Sequence, residues 1–344
     1  MTDKNLRVRE SGPDLVRTIA CIFVVGLHFY LNIGYYDAPL TGVKMYIMTG
    51  ARWLFMTAVP LFFMLTGYFK CHKKMDGAHY RALIPLLISY LVISVAKMIL
   101  YNRIFGKIYG IREMLENLAN YQLAWYMGIY LCLFLLIPFI NRGWEAIDRK
   151  EQDILLITLT GLCTIYPVFK YIGPSYFTGL YPVLFYLLGA TVRQRRPKVS
   201  KAAATAVLFG VVILETFISI RFTSTGTFDW NLISTTDGAY GSFFVMICTV
   251  CVFVLFYDAG VKGRAVRAFL SSVSSVSFEI YLFSGAYDAL IYAYVKRYIK
   301  EPSEAFWFFF VTVPLSFIAA YVSSLIFRYC VSKILKLSGL SAKS

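Results

Sequence analysis

His28 falls near the far end of the first long apolar run, with Asp14, Arg17, Cys21 and Val24 before it at spacings of 3, 4, 3 and 4. On a helix that spacing makes one stripe down one face. Arg17 and His28 are then about three turns apart, roughly 16 Å at 1.5 Å per residue. An ionisable group inside a membrane span is costly to keep and marks function by default. A neutral imidazole in that position can take a proton from a hydroxyl. A plainer account is equally open on this helix alone. Asp14 and Arg17 would be a helix-start ion pair at i,i+3, and His28 an interhelical hydrogen-bond donor.

Other ionisable residues lie in apolar surroundings. Arg52 opens the second run and can snorkel, as can Lys97 near the outer end of the third. Glu215 is expected in the outer third of the seventh run. In the ninth, Glu279 is expected to be buried, while Ser277, Tyr281, Ser284 and Asp288 share a polar face. Glu279 and Asp288 are about half a turn apart, so they do not form one carboxylate dyad. The segment from Lys70 through Lys73, Lys74 and His79 to Arg81 is compactly basic. It reads as a topology signal attracted to anionic lipid, or as a clamp on a phosphate-bearing molecule.

The elements that position these groups follow from composition. Of 344 residues, 58% are hydrophobic and only 15% charged. Mean hydropathy is +0.63. A soluble domain is about 45–50% apolar and about 25% charged, so the excess must face lipid or other helices. Aromatic residues, 17% of the chain, suit interfacial belts and helix packing. Apolar runs occur near 15–33, 50–69, 82–101, 123–141, 153–170, 176–192, 202–220, 239–257, 272–295 and 306–330. Most are long enough to cross about 30 Å of hydrocarbon. The 176–192 run is short and contains Pro182. The expectation is an all-α polytopic membrane protein of about ten transmembrane helices. It is one domain over 1–344, with short tails at 1–13 and 331–344. The first run continues past Val25 without a small-residue cleavage site, so it reads as an anchor.

Net charge is +15, but the cations sit in short loops between apolar runs, which argues against nucleic-acid binding. With the N-terminus inside, about 23 Lys and Arg fall on the inner side against about 10 outside. Both termini are then cytoplasmic, and the longest outer loops are 102–122 and 221–238. Most of the seven cysteines lie in apolar runs. Cys248 and Cys251 have redox or metal spacing, yet no second pair accompanies them, so they read as small buried hydrophobes. No metal site is expected, because His28 lies on the opposite side of the membrane from His72 and His79. There is no Walker loop, G-x-G-x-x-G or G-x-S-x-G, so nothing in the sequence supports ATP-driven transport or a serine hydrolase.

Several segments together resemble the acyltransferase 3 family of membrane acyltransferases. They are Asp14-x-x-Arg17-x-x-Ala20 with His28, Arg52 followed by Val59-Pro60-Leu61-Phe62-Phe63 and Thr66-Gly67-Tyr68-Phe69, and Arg81-x-x-x-Pro85. Trp125-Tyr126 with Tyr130 and Pro138, and Ser277-Phe278-Glu279-Ile280-Tyr281-Leu282, continue the pattern. The resemblance covers nearly the whole chain and is strongest toward the sugar O-acetylase branch. It implies transfer of an acyl group, usually acetyl from acetyl-CoA, to a hydroxyl of a surface glycan or its lipid-linked precursor in a bacterial cytoplasmic membrane. It further implies His28 as the catalytic base, with Arg17 and Asp14 of the same helix in the catalytic set. Lys73, Lys74 and Arg81 would meet CoA, and Arg52, Trp125, Glu279, Tyr281, Ser284 and Asp288 would meet the acceptor. Two departures stand out. Ser284 occupies a place where many members carry histidine. In a loop where members often carry two arginines three apart, lysines replace part of the pattern and Arg81 alone aligns. With no fused outer domain visible, the chain either completes transfer alone or hands its product to a polysaccharide-synthesis partner. A transporter or flippase with the same fold is the other reading. It draws on the polar ninth run and on an outer loop, Phe228-Asp229-Trp230-Asn231, able to bind sugar. A purely structural or sensing role has no positive feature.

Overall fold

Prolines accompany two of the joints between helices, whereas Pro138 and Pro314 lie inside unbroken helices. A proline inside a helix removes one N–H and its ring clashes with the carbonyl four residues earlier. In the second run Pro60 points that clash at Met56, and there the helix divides into α2 (Val43–Phe55) and α3 (Ala58–Lys70). Thr57 Oγ1 bridges the joint by donating to the Leu54 carbonyl. In the third, Pro85 faces Arg81, and the chain divides into α4 (Gly77–Arg81) and α5 (Leu83–Phe105). Pro182 acts differently. It lies in the first turn of its helix, where a missing N–H costs nothing, and it opens that helix without interrupting it.

The computed structural model describes residues 10–106, 109–165, 175–223, 225–229 and 240–337. Ahead of these breaks runs α1 (Ser11–Asn32). After them come α6 (Ile111–Ala119), α7 (Trp125–Ala146), α8 (Arg149–Thr164), α9 (Tyr181–Arg195), α10 (Lys201–Arg221) and α11 (Phe243–Phe256). The chain ends in α12 (Arg264–Ser275), α13 (Ser277–Val295) and α14 (Phe309–Leu337). Among the described residues there is no strand.

Every apolar run in the sequence carries helix, though not always as one piece. Among the described residues six helical stretches are long and apolar enough to cross a membrane, with α2 and α3 counted as one and α4 and α5 as another. The bent pair α12 and α13 makes a seventh if it is one span. The runs at 153–170, 176–192 and 239–257 yield the shorter α8, α9 and α11, of 16, 15 and 14 residues. Residues 166–170 of the first lie outside those described. The run at 272–295 is broken at Val276, where α12 and α13 meet at 75°. The amphipathic α6, inside the long loop 102–122, has no counterpart among the expected elements. Outward faces are apolar, as on α10, where Phe209, Ile213 and Phe217 are 60, 67 and 57% exposed. Such surface belongs against lipid, so the chain is a multi-pass membrane protein.

The tightest joint is α3 against α9. A Cβ on Gly67 would stand 1.8 Å from the Tyr186 carbonyl oxygen, and one on Gly189 would stand 1.9 Å from that of Met64. Small residues let two backbones approach this closely in a membrane. Because the obstacles are backbone atoms, Gly67→Val or Gly189→Val must separate the helices. Overpacking costs about 1–3 kcal/mol or more, and here the upper end is expected. Either variant should lose its monodisperse peak on size exclusion in detergent, while Gly210→Val, which meets open space, should keep it. Equal behaviour of the three would mean that the α3–α9 contact is not as close as described.

Candidate functional site

His28 reaches out of α1 to α13. Its Nδ1 lies 2.6 Å from Asp288 Oδ2. Ser316 of α14 donates from Oγ to the other carboxylate oxygen, Oδ1, also at 2.6 Å. Three helices thus meet in one chain of hydrogen bonds, Ser316 to Asp288 to His28. The carboxylate is 3% exposed, while the imidazole keeps 23% of its surface free. With Asp288 ionised, Nδ1–H is the donor and Nε2 carries the lone pair. The interhelical bond of the plainer account therefore exists, and it leaves the second ring nitrogen available as a base.

The free part of the ring lines a cavity of about 270 Å³ that also touches Arg17, Thr66, Trp125, Ser277 and Tyr281. The 3-4 stripe on α1 does connect Arg17 with His28, one toward each end of this space. Aromatic rings make up much of its wall. Tyr126 packs edge-on to Tyr281 at 5.7 Å and lies tilted by 32° against Tyr130 at 5.8 Å. Trp125 lies 5.4 Å from Tyr240. Tyr240, just ahead of α11, has no motif to mark it and was not among the expected site residues. Nor was Ser316, a serine in an apolar helix whose role needs the fold to place it beside Asp288.

At the other end of the cavity Arg17 donates from Nη1 to Ser274 Oγ at 2.8 Å, and its guanidinium lies 5.3 Å from the Phe69 ring centre. Ser274 sits just before the break between α12 and α13, where helix-end carbonyls lack intrahelical partners. Arg17 and Arg328 supply donors there, Arg17 to the Ser274 carbonyl at 3.4 Å and Arg328 to that of Ser275. The break that shortens the expected ninth helix is thus held by two arginines. Asp14 is 4% exposed at the start of α1 and does not line the cavity.

The basic segment after α3 is anchored to α7. Asn141 Nδ2 donates to the carbonyls of Lys70 and Lys73, each at 2.8 Å. His79 Nε2 bonds to the Phe134 carbonyl at 2.9 Å, and its ring stacks on Phe134 at 4.2 Å. Lys70 turns inward over the Phe134 ring at 4.7 Å, near enough to feel the Arg17 charge. Lys73, Lys74 and Arg81 are exposed and none lines the cavity. Glu10 ties the same end together by accepting from Tyr68, Arg193 and Arg196. Partial burial works to raise its carboxyl, but the bonds and positive charges outweigh that and hold it below the usual carboxylate range. Glu10 and Arg328 both lie here, so both described ends of the chain are at this basic end of the bundle.

Four expected substrate contacts are placed otherwise. Arg52 is 0% exposed, its guanidinium 4.4 Å from the Trp53 ring centre and 4.2 Å from that of Phe228. It does not snorkel, because the aromatic faces of Trp53 and Phe228 and the Glu215 side chain lie around it in the protein interior. Glu279 is half-buried, not buried, and accepts from Ser89 of α5 at 3.0 Å. It is about 200° round α13 from Tyr281 and faces away from the cavity. Ser284 is 0% exposed and donates back to the Tyr281 carbonyl. Asp288 faces His28. Phe228 is 4% exposed, which takes it out of any sugar-binding surface. Trp230 and Asn231, like Lys4, Arg7 and Arg9 of the inner count, lie outside the described residues. Among the described residues no group of three or more His, Cys, Asp or Glu side chains is placed to hold a metal ion.

The family model described as an acyltransferase domain, that of the acyltransferase 3 family, matches residues 10–323. The chain belongs to that family and is a membrane acyltransferase. No curated protein and no solved structure gives a match.

Proposed function

We propose that this acyltransferase moves an acyl group, acetyl by family habit, from acyl-CoA to a hydroxyl of a surface polysaccharide or lipid-linked glycan precursor. His28 is its general base, and the basic end of the bundle faces the cytoplasm, with both termini. The observation that supports this most is the imidazole held at Nδ1 by a buried carboxylate while its remaining surface opens into the cavity that reaches Arg17. That is the orienter–base pair of acyl-transfer sites, with the acceptor hydroxyl supplied by the substrate.

His28 Nε2 takes the acceptor hydroxyl's proton as its oxygen attacks the thioester carbonyl. The C–O bond forms and the C–S bond breaks, and the proton passes to the departing CoA thiolate. Asp288 holds the imidazolium that exists between those two transfers. The cavity is smaller than the about 300–1,000 Å³ of sites that enclose a drug-sized ligand. It suits the acyl arm and the reacting hydroxyl, leaving the phosphate-bearing head of CoA at the basic end, where Lys70, Lys73, Lys74 and Arg81 are. Tyrosine and tryptophan faces at the opposite end offer the flat apolar surface on which a sugar ring packs.

The reading is tested with purified protein in nanodiscs, labelled acetyl-CoA and a membrane extract of the native host. Label should enter glycan or glycolipid. If the protein neither binds nor consumes acyl-CoA of any chain tested, the proposed donor is wrong. In the same assay Lys73→Ala with Lys74→Ala should raise KM for acyl-CoA several-fold, by removing two phosphate-range charges, with the acceptor KM unchanged. Equal KM values would reduce these lysines to a topology signal.

A further inference from the structure

Lys97 is a cation in the outer part of α5, and its side chain does not run out toward the surface. It turns onto α13, where its ammonium lies so near the backbone that a Cβ on Gly285 would stand 2.6 Å from Nζ. Glycine at 285 is what makes room for it. Tyr101, one turn further along α5, donates to the Gly285 carbonyl at 3.0 Å and keeps the two helices together at this point. Gly285 and Asp288 are three residues apart, on one face of α13. The Asp288 charge reaches Lys97. So the ammonium sits from α5 within about one helical turn of the carboxylate that His28 meets from α1 and Ser316 from α14, close to it without closing an ion pair.

We propose that Lys97 is a positioning residue of the His28 centre: its ammonium, seated against Gly285, keeps Asp288 an anion and so keeps the imidazole proton on Nδ1. Without a cation, a carboxylate buried against an imidazole in a membrane can draw the proton onto itself or hold the ring doubly protonated. Either arrangement spoils a base that must work with a free Nε2. Lys97 offsets one charge of the pair. The centre then carries a carboxylate, an ammonium and a neutral ring, and the ring becomes imidazolium only during transfer. The other titratable groups facing Asp288 are Tyr101 from α5 and Tyr292 from α13, while α14 presents Ser316. Tyr292 is itself bonded to Thr312. Among the described residues Lys97 is the cation in that ring of neighbours. The inference rests on His28 being the base, so its test includes a reading that needs no turnover.

The test compares wild type with Lys97→Met, Lys97→Arg and Gly285→Ala. Gly285→Ala leaves the lysine present but pushes its flexible end away. The ¹⁵N signals of the three histidines are followed against pH in nanodiscs, with His28 assigned by its absence from His28→Ala. Removing a nearby positive charge favours the protonated ring, so the His28 midpoint should move to higher pH by roughly one unit in Lys97→Met. Gly285→Ala should shift it the same way by less, and Lys97→Arg should stay near wild type. In the acylation assay Lys97→Met should lower kcat roughly tenfold, within the range for partners that orient a reacting group. The acyl-CoA KM should be unchanged and the acid limb of the rate profile moved to higher pH. An unmoved His28 midpoint in Lys97→Met overturns the inference, whatever the activity. A shifted midpoint in a protein that transfers no acyl group upholds the Lys97 contact and overturns the function proposed above.

Discussion

His28→Ala should lower acyl transfer by about 10³-fold or more, within the range that a positioned general base contributes and its loss removes. The protein should still insert and fold, because a quarter of the ring already faces open space and the bond it makes, to Asp288, is one of several joining α1 to its neighbours. Turnover of labelled acetyl-CoA into glycan, with size exclusion and thermal unfolding on the same sample, separates the two effects. About 10³-fold corresponds to about 4 kcal/mol of transition-state stabilisation. A drop of that size in a well-folded variant assigns the base. Retained turnover would return His28 to its plainer role as an interhelical hydrogen-bond partner.

Asp288→Asn is nearly isosteric and should cost about as much. An amide at 288 can donate to Nδ1, which would put the ring proton on Nε2 and leave no lone pair toward the acceptor. Where a carboxylate orients a catalytic imidazole, the corresponding change costs as much as about 10⁴-fold in kcat. For Asp288→Asn a loss of about 10³-fold is expected, with the acyl-CoA KM within about twofold of wild type, since nothing that meets the donor has changed. Ser316→Ala removes one hydrogen bond to the same carboxylate and should cost much less, about 1–2 kcal/mol in the barrier at most. If Asp288→Asn instead raised KM and spared kcat, Asp288 would be meeting substrate, as the polar face of the ninth run first implied. Steady-state kinetics on the pair of variants decides between a residue that orients the base and one that binds the acceptor.

Much of this protein is legible without coordinates. Composition and run length are enough to place it in a membrane as a helical bundle, because each span has to satisfy its own backbone and therefore has to be apolar and helical. Helical periodicity on one segment was enough to align Arg17 with His28, since residues on the same helix face keep their relation whatever surrounds them. Motif order along the chain was enough for the family. Pro60 and Pro85 follow the joints at Met56 and Ala82, but Pro138 and Pro314 lie inside unbroken helices, so proline position alone does not mark a joint.

What only the tertiary structure decided are the relations between helices. Asp288 was visible as an acid on a polar face, but whether it met substrate, lipid headgroup or histidine depends on how α13 is rotated against α1, which no local pattern encodes. Ser316, Tyr240 and Lys97 carried no motif, and each takes its place from a crossing between segments more than a hundred residues from His28 in two cases and about seventy in the third. Arg52 shows the reverse. Its position at a helix start implied a side chain reaching for water, yet its surroundings fold an aromatic cage over it. Helix-face periodicity is a short-range consequence of backbone geometry. Which faces meet is a long-range consequence of packing, and the His28 centre is assembled where α1, α13 and α14 meet.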